Sequence, residues 1–231
     1  MQVVLTIVVI ICSYLLGSIP TGVLLVKLIS GKDVRKIESG RTGGTNAMRA
    51  AGVWAGLGTA VFDALKGAAC VWLARGLVPG AIWLEVLAPV LSIIGHNYSI
   101  FLVERGENGR IRLRGGAGGA PATGGAFALW PPILLFILPL AALIFYFVGY
   151  ASVTTMSVAV IATVIFAYRA WIGASPWGYV LYGLAAELVL MWALRPNIRR
   201  LLDGTERLVG FRAKRRKAKA DYSSSSSSTS S

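Results

Sequence analysis

The sequence predicts an all-α integral membrane protein: a bundle of seven transmembrane helices in which one helix is short or broken. Composition is the first observation behind this prediction. Of the 231 residues, 55% are hydrophobic and 14% are charged, against about 25% charged residues in soluble domains. The second observation is a series of apolar runs long enough to cross a bilayer. The third is the position of the basic residues, which lie between or after those runs.

Each apolar run is close to the roughly 20 residues that a helix needs to cross the hydrocarbon core. One run, residues 119–148, is too long for a single span and contains Trp130-Pro131-Pro132. Consecutive prolines remove backbone donors and clash with the preceding turn, so we divide this run into a short helix near 119–130 and a full helix near 133–149. The other runs cover residues 3–29, 54–75, 81–103, 151–170 and 177–194.

The charge pattern predicts the orientation of the chain. Lys and Arg outnumber Asp and Glu 23 to 10, and the excess lies in the 30–53 loop, the 104–118 loop and the segment after the last run. Cytoplasmic loops of membrane proteins are enriched in Lys and Arg, so all three basic segments should be cytoplasmic. This requires an odd number of spans, and seven spans put the N-terminus outside and the C-terminus in the cytoplasm. Neighbouring helices must then shield the short helix from lipid.

Composition also argues against a nucleic-acid partner, a metal site and a disulfide. The basic residues flank the spans and form no soluble basic domain, so we expect no nucleic-acid partner. The chain has one histidine, and Cys12 and Cys70 each lie inside an apolar run, so we expect no metal site and no disulfide. We expect a transmembrane domain over residues 1–210, followed by a basic and then serine-rich disordered tail over residues 211–231.

The most informative local feature is a polar, glycine-rich block from Glu38 to Arg49, set between apolar stretches. Its glycines would let backbone N–H groups converge on an anion, and its arginines would neutralise the charge. Because the surrounding chain is apolar, the phosphate should belong to a lipid or a lipid precursor. The alternative is a flexible glycine linker without a ligand.

A second polar cluster, Asp63, Lys66 and Gly67, lies inside the second apolar run. Asp63 and Lys66 are three residues apart and therefore share a helix face. Ionisable residues inside a span are costly and indicate function by default. Two interpretations stay open here: a structural ion pair, or a lysine that reaches a phosphate.

A third cluster combines Gly95-His96-Asn97, late in the third run, with the glycine-rich segment 114–119. Those glycines could form a second anion-binding nest ahead of the short helix, whose N-terminus favours negative charge. A lone histidine in a span serves about as often as a hydrogen-bonding group between helices as it does as a catalyst.

A fourth, smaller cluster follows the last run and consists of Asn197, Arg200 and Glu206. Asn197 and Arg200 are also three residues apart and could face the same pocket. The alternative is that these are juxtamembrane residues that bind anionic lipid.

Taken together and in this order, the clusters resemble the bacterial acyl-phosphate:glycerol-3-phosphate acyltransferase family, integral membrane enzymes that make lysophosphatidic acid. The resemblance covers Gly17 to about Glu206. The family fold is a seven-helix bundle with the N-terminus outside, in agreement with the charge argument. The matching motifs are Gly17-Ser18-Ile19-Pro20, Ser39-Gly40 with Gly43-x-Thr45-Asn46-x-x-Arg49, Asp63-x-x-Lys66-Gly67, Gly95-His96-Asn97 and Asn197-Ile198-x-Arg200 through Glu206.

The resemblance implies roles for the matching residues. It implies catalytic roles for Ser39, Arg49, His96 and Asn197, with Ser39 close to the reacting groups and Asn197 holding the substrate near the reaction centre. It implies no metal and no cofactor. The implied substrate- and phosphate-binding residues are Gly40, Gly43, Thr45, Asn46, Lys66, Arg114, Gly115, Gly116, Arg200 and Glu206.

The resemblance also implies a reaction and a location. The partners would be glycerol 3-phosphate, acyl phosphate and membrane lipids. The glycerol 1-hydroxyl would attack the activated acyl group directly, with a substrate phosphate accepting the proton. We expect a monomer in the bacterial cell membrane with its active site on the cytoplasmic side.

Three positions depart from the family pattern. Ala117 stands where the family has a lysine between the glycines, and Arg114 from the same loop could supply the missing cation. Arg41 stands where the family usually has an asparagine. Leu194 stands where the family has a histidine three residues before Asn197. Glu187, in the middle of the last run, could be a hydrogen-bonded or protonated carboxyl group.

Two other functions compete with acyl transfer from acyl phosphate. One is transport of a small organophosphate, for which broken helices and an intramembrane Asp/Lys pair would be suitable. The other is a non-catalytic relative that binds glycerol 3-phosphate or lipid, suggested by Ala117 and Leu194. A soluble-type acyltransferase would need a His-x4-Asp motif, and the residue five positions after His96 is Phe101.

Overall fold

In a computed structural model, residues 1–105, 109–213 and 215 are described, and most of them are helical. Short 3₁₀ turns cover Val34–Lys36 and Pro131–Ile133. The α-helices and strands are, in chain order, α1 (Gln2–Ser18), α2 (Thr21–Ser30), α3 (Gly44–Ala51), α4 (Val53–Leu77), α5 (Ile82–Asn97), β1 (Val103–Arg105), β2 (Ile111–Leu113), α6 (Gly119–Leu129), α7 (Leu134–Phe147), α8 (Ala151–Trp171) and α9 (Gly178–Leu202).

Within the described residues, four helical segments have the length and apolar composition to cross a membrane: Gln2–Ser30, which joins α1 and α2, and the helices α4, α8 and α9. Two shorter apolar helices, α5 and Pro131–Phe147, lie between them. The predicted helical, multi-pass architecture is thereby confirmed, while the number of spans and their orientation stay predictions. Most of the predicted tail lies outside the described part of the chain; of its first residues, 211–213 are helical, and Phe211 stacks on Tyr146.

The first predicted span is broken near its middle. Helix α1 ends at Ser18 and α2 begins at Thr21. Pro20 lies between them, and a proline lacks the N–H donor that a continuous helix needs at this point. At the break, the carbonyl groups of Gly17 and Ile19 accept hydrogen bonds from Lys66, and that of Ile19 also accepts one from the N–H of Thr21.

A two-stranded antiparallel hairpin follows α5, and the sequence analysis did not predict it. The third apolar run was expected to stay helical to residue 103, but α5 ends at Asn97. Val103 pairs with Leu113, and Glu104 pairs with Arg112. β-branched and oppositely charged residues at facing positions stabilise such a pair of strands, whereas the polar segment between them does not continue a transmembrane helix.

The short helix α6 is shielded by other helices, as the sequence analysis required. It ends at Leu129, just before the consecutive prolines, and its last carbonyl groups are capped by a side chain from α4. Arg75 donates to the Ala128 oxygen at 2.7 Å, and its Nε lies 2.8 Å from Glu85 of α5. The Tyr179 hydroxyl of α9 also donates to Glu85. This capping allows a helix that is too short to cross the membrane to end inside the bundle.

Helices α4 and α6 pack at glycines. A Cβ atom on Gly124 would overlap the carbonyl oxygen of Ala64, and one on Gly67 would overlap the carbonyl oxygen of Pro121. The two backbones therefore touch, which only residues without a side chain permit. This contact holds the start of α6 against the half of α4 that carries Asp63.

Replacing Gly124 with alanine is expected to lower the free energy of unfolding by about 1–3 kcal/mol, because the added methyl group must separate two backbones. Equilibrium unfolding in SDS would measure it. Gly76 on α4 is the matched control, since a Cβ there meets no atom within 4 Å and Gly76→Ala should be neutral or slightly stabilising. Equal stabilities of the two variants would contradict the close approach of α4 and α6.

Candidate functional site

All four polar clusters of the sequence meet at one cavity of about 1020 Å³. Its walls come from the α2–α3 loop, α3, the first half of α4, the end of α5, the segment between β2 and α6, the start of α8, and the end of α9 with the residues that follow it. The predicted site residues that line it are Ser39, Gly40, Gly43, Thr45, Asn46, Arg49, His96, Arg114, Gly115, Gly116, Asn197, Arg200 and Glu206. Lys66 is the predicted residue that does not line it.

Two helices begin at the wall of this cavity. Helix α3 starts at Gly44 after Gly43, and α6 starts at Gly119 after Gly118. Neither start has a side-chain cap, so the first N–H groups of both helices are available to a ligand. Helix N-termini carry partial positive charge and bind anions. The cavity therefore has two anion-binding ends provided by the backbone.

The α2–α3 loop is organised by Asn46. Its side-chain nitrogen lies 2.8–3.0 Å from the carbonyl oxygens of Val34, Ile37 and Arg41, and the residue is almost fully buried. Asn46 thus lies at the cavity but uses its amide to fold the loop. The prediction that it binds phosphate receives no support from these contacts.

The tip of this loop carries Ser39. Glu38 before it has φ of 46° and Gly40 after it has φ of 66°, and a left-handed conformation at a glutamate is uncommon. The Gly40 N–H donates to the Ile37 carbonyl and closes a tight turn. The turn leaves Ser39 exposed at the cavity wall, with its hydroxyl 3.4 Å from the Arg41 backbone nitrogen.

Arg49 projects from α3 into the same space. Its side chain is exposed, and among the described residues it has no hydrogen bond and no ion pair. An arginine at a cavity wall without a protein partner is suited to bind a phosphate or carboxylate.

His96 lies beneath the glycine-rich segment. The Gly116 N–H donates to the His96 carbonyl oxygen at 2.9 Å, and a Cβ on Gly116 would overlap the imidazole Nε2. On its other side, His96 Nδ1 lies 3.5 Å from the Asp63 carboxylate. The imidazole therefore lies between the backbone of the glycine-rich segment and a carboxylate. Any side chain at position 116 would overlap the imidazole.

Lys66 belongs to a buried ion pair. Its ammonium group lies 2.7 Å from Asp63 Oδ1 and donates to the carbonyl oxygens of Ile19, at 2.7 Å, and Gly17, at 3.3 Å. The prediction that Lys66 lies in the phosphate pocket is corrected here, because the break between α1 and α2 supplies its partners. Asp63, which also accepts a hydrogen bond from Thr21, is the member of the pair that reaches the cavity.

Asn197 and Arg200 are both held by Glu206. Asn197 donates to Glu206 Oε1 at 2.8 Å, and Arg200 donates to Oε2 at 3.0 Å. Ser152, at the start of α8, also donates to Glu206. The sequence analysis missed Ser152, because a lone serine at a helix start has no signature that distinguishes it.

Arg41, which the sequence analysis counted among the arginines of the phosphate-binding block and named as a departure from the family pattern, is central to the site. Its guanidinium donates to the Gly116 carbonyl at 3.1 Å, to the Ala193 carbonyl at 2.9 Å and to Asn197 Oδ1 at 3.0 Å. Arg114, in contrast, is held at the cavity edge by Glu104, 2.6 Å from its Nε.

The cavity wall carries a cationic excess. Seven arginines line it, against three carboxylates, Glu38, Asp63 and Glu206. Such an excess favours ligands with more than one negative charge. Among the described residues, no group of three potential metal ligands is present.

Comparisons with known proteins agree with this geometry. The sequence matches the model of one protein family, described as glycerol-3-phosphate acyltransferase, over residues 7–204. A glycerol-3-phosphate acyltransferase of Rubrobacter xylanophilus is 37% identical over 209 residues, which cover 90% of this chain and 98% of the relative. A glycerol-3-phosphate acyltransferase of Thermus thermophilus is 36% identical, with coverage of 88% and 95%.

Two crystal structures are also similar to this fold. Both are of PlsY, an integral membrane glycerol 3-phosphate acyltransferase. The glycerol 3-phosphate form matches with a TM-score of 0.75 at 29% identity, covering 89% of this chain and 96% of that chain. The lysophosphatidic acid form matches with a TM-score of 0.73 at 28% identity, covering 89% and 95%.

Proposed function

Because the chain belongs to the glycerol-3-phosphate acyltransferase family, we propose that it transfers a fatty acyl group from acyl phosphate to the 1-hydroxyl of glycerol 3-phosphate. The products are lysophosphatidic acid and phosphate. One observation carries the proposal: a single cationic cavity has two uncapped helix starts at its wall. Donor and acceptor each bring a phosphate, and the cavity has an anion-binding end for each. Family membership favours acyl transfer over transport or non-catalytic binding.

The reaction needs proximity and charge stabilisation. The glycerol 1-hydroxyl oxygen forms the ester bond to the acyl carbon, the bond from that carbon to the donor phosphate breaks, and the hydroxyl proton passes to a substrate phosphate. An acyl phosphate is already activated, so this route uses no covalent enzyme intermediate. The protein holds both substrates together and stabilises the charge that develops on the departing phosphate.

Roles follow from position. Arg49 and the N–H groups after Gly43 bind phosphate at the start of α3, and Thr45 adds a hydroxyl there. Ser39, at the exposed tip of its loop, is close to the reacting groups. Asn197, with its amide held by Glu206 and Arg41, orients substrate from α9.

The remaining predicted residues support these groups or add charge beside them. His96 supports Gly116, and the backbone of Gly115 and Gly116 leads to the start of α6. Gly40 gives the loop its turn, and Arg114 and Arg200 add charge at the rim. Asn46 and Lys66 act by holding the loop and the helices in place.

Three arginines at this cavity support an orientation of the chain in the membrane. Arg49, Arg114 and Arg200 come from the three basic segments that the positive-inside rule predicts to be cytoplasmic, and all three line this cavity. The active site therefore faces the cytoplasm. We infer seven spans with the N-terminus outside, a monomer in the bacterial cell membrane, and a tail after residue 210 that takes no part in catalysis.

An acyl-transfer assay on purified, detergent-solubilised protein tests this function. Palmitoyl phosphate and, separately, palmitoyl-CoA are offered to labelled glycerol 3-phosphate without added metal. We expect lysophosphatidic acid from the acyl phosphate alone. Product from palmitoyl-CoA alone would overturn the proposed donor. Absence of product from both, with glycerol 3-phosphate still bound, would favour the non-catalytic alternative.

A further inference from the structure

Arg41 connects three parts of the cavity wall. From the α2–α3 loop, its guanidinium reaches the glycine-rich segment at Gly116 and two groups on α9, the Ala193 carbonyl and the Asn197 side chain. These partners lie 75 to 156 residues away along the chain. A planar guanidinium carries five N–H donors, against three on a lysine ammonium and two on an asparagine amide, and its donors point in more directions, so it can reach acceptors on several segments at once.

The charge of Arg41 is not neutralised by the protein. None of the ion pairs among the described residues includes it. Its three hydrogen bonds go to two carbonyl oxygens and an amide oxygen, all of them uncharged. Burial, and then the charge of Arg200, lowers the pKa of Arg41 below its usual value. A half-buried cation in this state is stabilised when an anion binds beside it.

Two N–H groups of the guanidinium have no acceptor within the described part of the chain. Arginine carries five such donors, and the structure accounts for three hydrogen bonds. Arg41 itself lines the cavity, so these donors can meet a ligand there. The unused donors are Nε–H and one Nη1–H, which lie on different edges of the guanidinium, so each can donate separately to an anion beside the cation.

Two of the residues that Arg41 contacts are followed in the sequence by positions where this chain departs from the family pattern. Gly116 precedes Ala117, and Ala193 precedes Leu194, and both positions carry apolar residues here. Arg114, the other candidate for the missing cation, is paired with Glu104. Arg41 contacts the glycine-rich segment directly and has no carboxylate partner among the described residues.

We propose that Arg41 is a phosphate-binding residue particular to this version of the site: three of its N–H groups clamp the glycine-rich segment to α9, and its positive charge, which no carboxylate neutralises, attracts a substrate phosphate that accepts a hydrogen bond from an unused N–H group. The catalytic consequence rests on the proposed function. The binding of phosphate does not, because it depends only on the cavity and its charge.

The first test measures the affinity for inorganic phosphate by calorimetry, in detergent, without turnover. Arg41→Lys retains the charge and Arg41→Gln removes it, while either side chain can still donate hydrogen bonds. We expect Arg41→Gln to weaken phosphate binding about 10- to 100-fold, the range for one charged hydrogen-bonding group, and Arg41→Lys to weaken it several-fold less. Equal losses in the two variants, or a loss below twofold in Arg41→Gln, would overturn the proposal.

The second test moves the cation. In the Arg41→Asn background, Ala117→Lys returns a positive charge to the adjacent cavity wall. We expect the double variant to bind phosphate at least tenfold more tightly than Arg41→Asn does. The matched control is Arg199→Gln, an exposed arginine of α9 outside the cavity, which should bind phosphate as the wild type does. A double variant that binds no better than Arg41→Asn, while the wild type binds normally, would contradict a role for the charge.

Turnover separates this proposal from the proposed function. If the wild type makes lysophosphatidic acid, Arg41→Gln should raise KM for a phosphate-bearing substrate more than it lowers kcat, and inorganic phosphate should inhibit it less. If the wild type makes no product but Arg41→Gln loses phosphate affinity, the proposed reaction fails and the assignment of Arg41 stands. An unchanged KM in an active enzyme would overturn it.

Discussion

Replacement of Arg49 by alanine is expected to lower kcat for acyl transfer by about 10²–10³-fold, the loss typical when one preorganised group that stabilises transition-state charge is removed. Arg49 is exposed at the cavity wall, and within the described residues nothing else uses its charge. Its charge is therefore available for the departing phosphate, and no protein contact is lost when it is removed. Steady-state kinetics with acyl phosphate and glycerol 3-phosphate would measure the change.

Two further variants separate the charge of Arg49 from its shape and from general surface charge. Arg49→Lys keeps the positive charge without the planar fork and should retain more activity than Arg49→Ala. Arg199→Ala removes an exposed arginine outside the cavity and should leave kcat unchanged, because that charge does not face the substrates. Full activity of Arg49→Ala would show that charge stabilisation lies elsewhere in the cavity.

Replacement of Lys66 by methionine is expected to lower the free energy of unfolding by about 3–5 kcal/mol, because it leaves Asp63 buried without its counter-ion. The two side chains are 7% and 1% exposed and 2.7 Å apart. The substitution also removes the two hydrogen bonds to the break between α1 and α2. Unfolding in SDS, followed by circular dichroism, would measure the loss.

The double variant Asp63→Asn, Lys66→Met distinguishes the ion pair from a substrate contact. It removes both charges and should recover most of the lost stability, because no unpaired charge remains buried. If Lys66→Met were as stable as the wild type but bound glycerol 3-phosphate poorly, Lys66 would be the phosphate ligand that the sequence first suggested.

The motif Asp63-x-x-Lys66 was not enough to decide whether Lys66 binds phosphate or forms an ion pair. The three-residue spacing correctly placed Asp63 and Lys66 on one helix face, and it left two interpretations open. The choice between them depended on Pro20, which breaks the preceding span and turns two carbonyl groups toward the lysine. That contact joins residues 47 and 49 positions apart, and no pattern local to α4 contains it.

The contacts of Arg41 also could not be predicted from its sequence neighbours. In the sequence it is a substitution beside a glycine, without a visible partner. In the structure it joins the glycine-rich segment to α9, and its partner Asn197 lies 156 residues away. The hairpin of β1 and β2 was also missed, since each strand has three residues, too few for a periodic signal.

The sequence by itself determined the membrane setting, the short helix before Trp130-Pro131-Pro132 and the polar clusters that meet at the cavity. These properties are local: hydropathy over some twenty residues, the missing N–H of proline, and the composition of a glycine-rich block each act within one segment. The tertiary structure alone decided which polar side chains face the cavity and which are bonded to other groups of the protein. A charged side chain takes whichever partner packing brings within hydrogen-bond distance, so Lys66 pairs with the backbone while Arg49 stays available for a ligand.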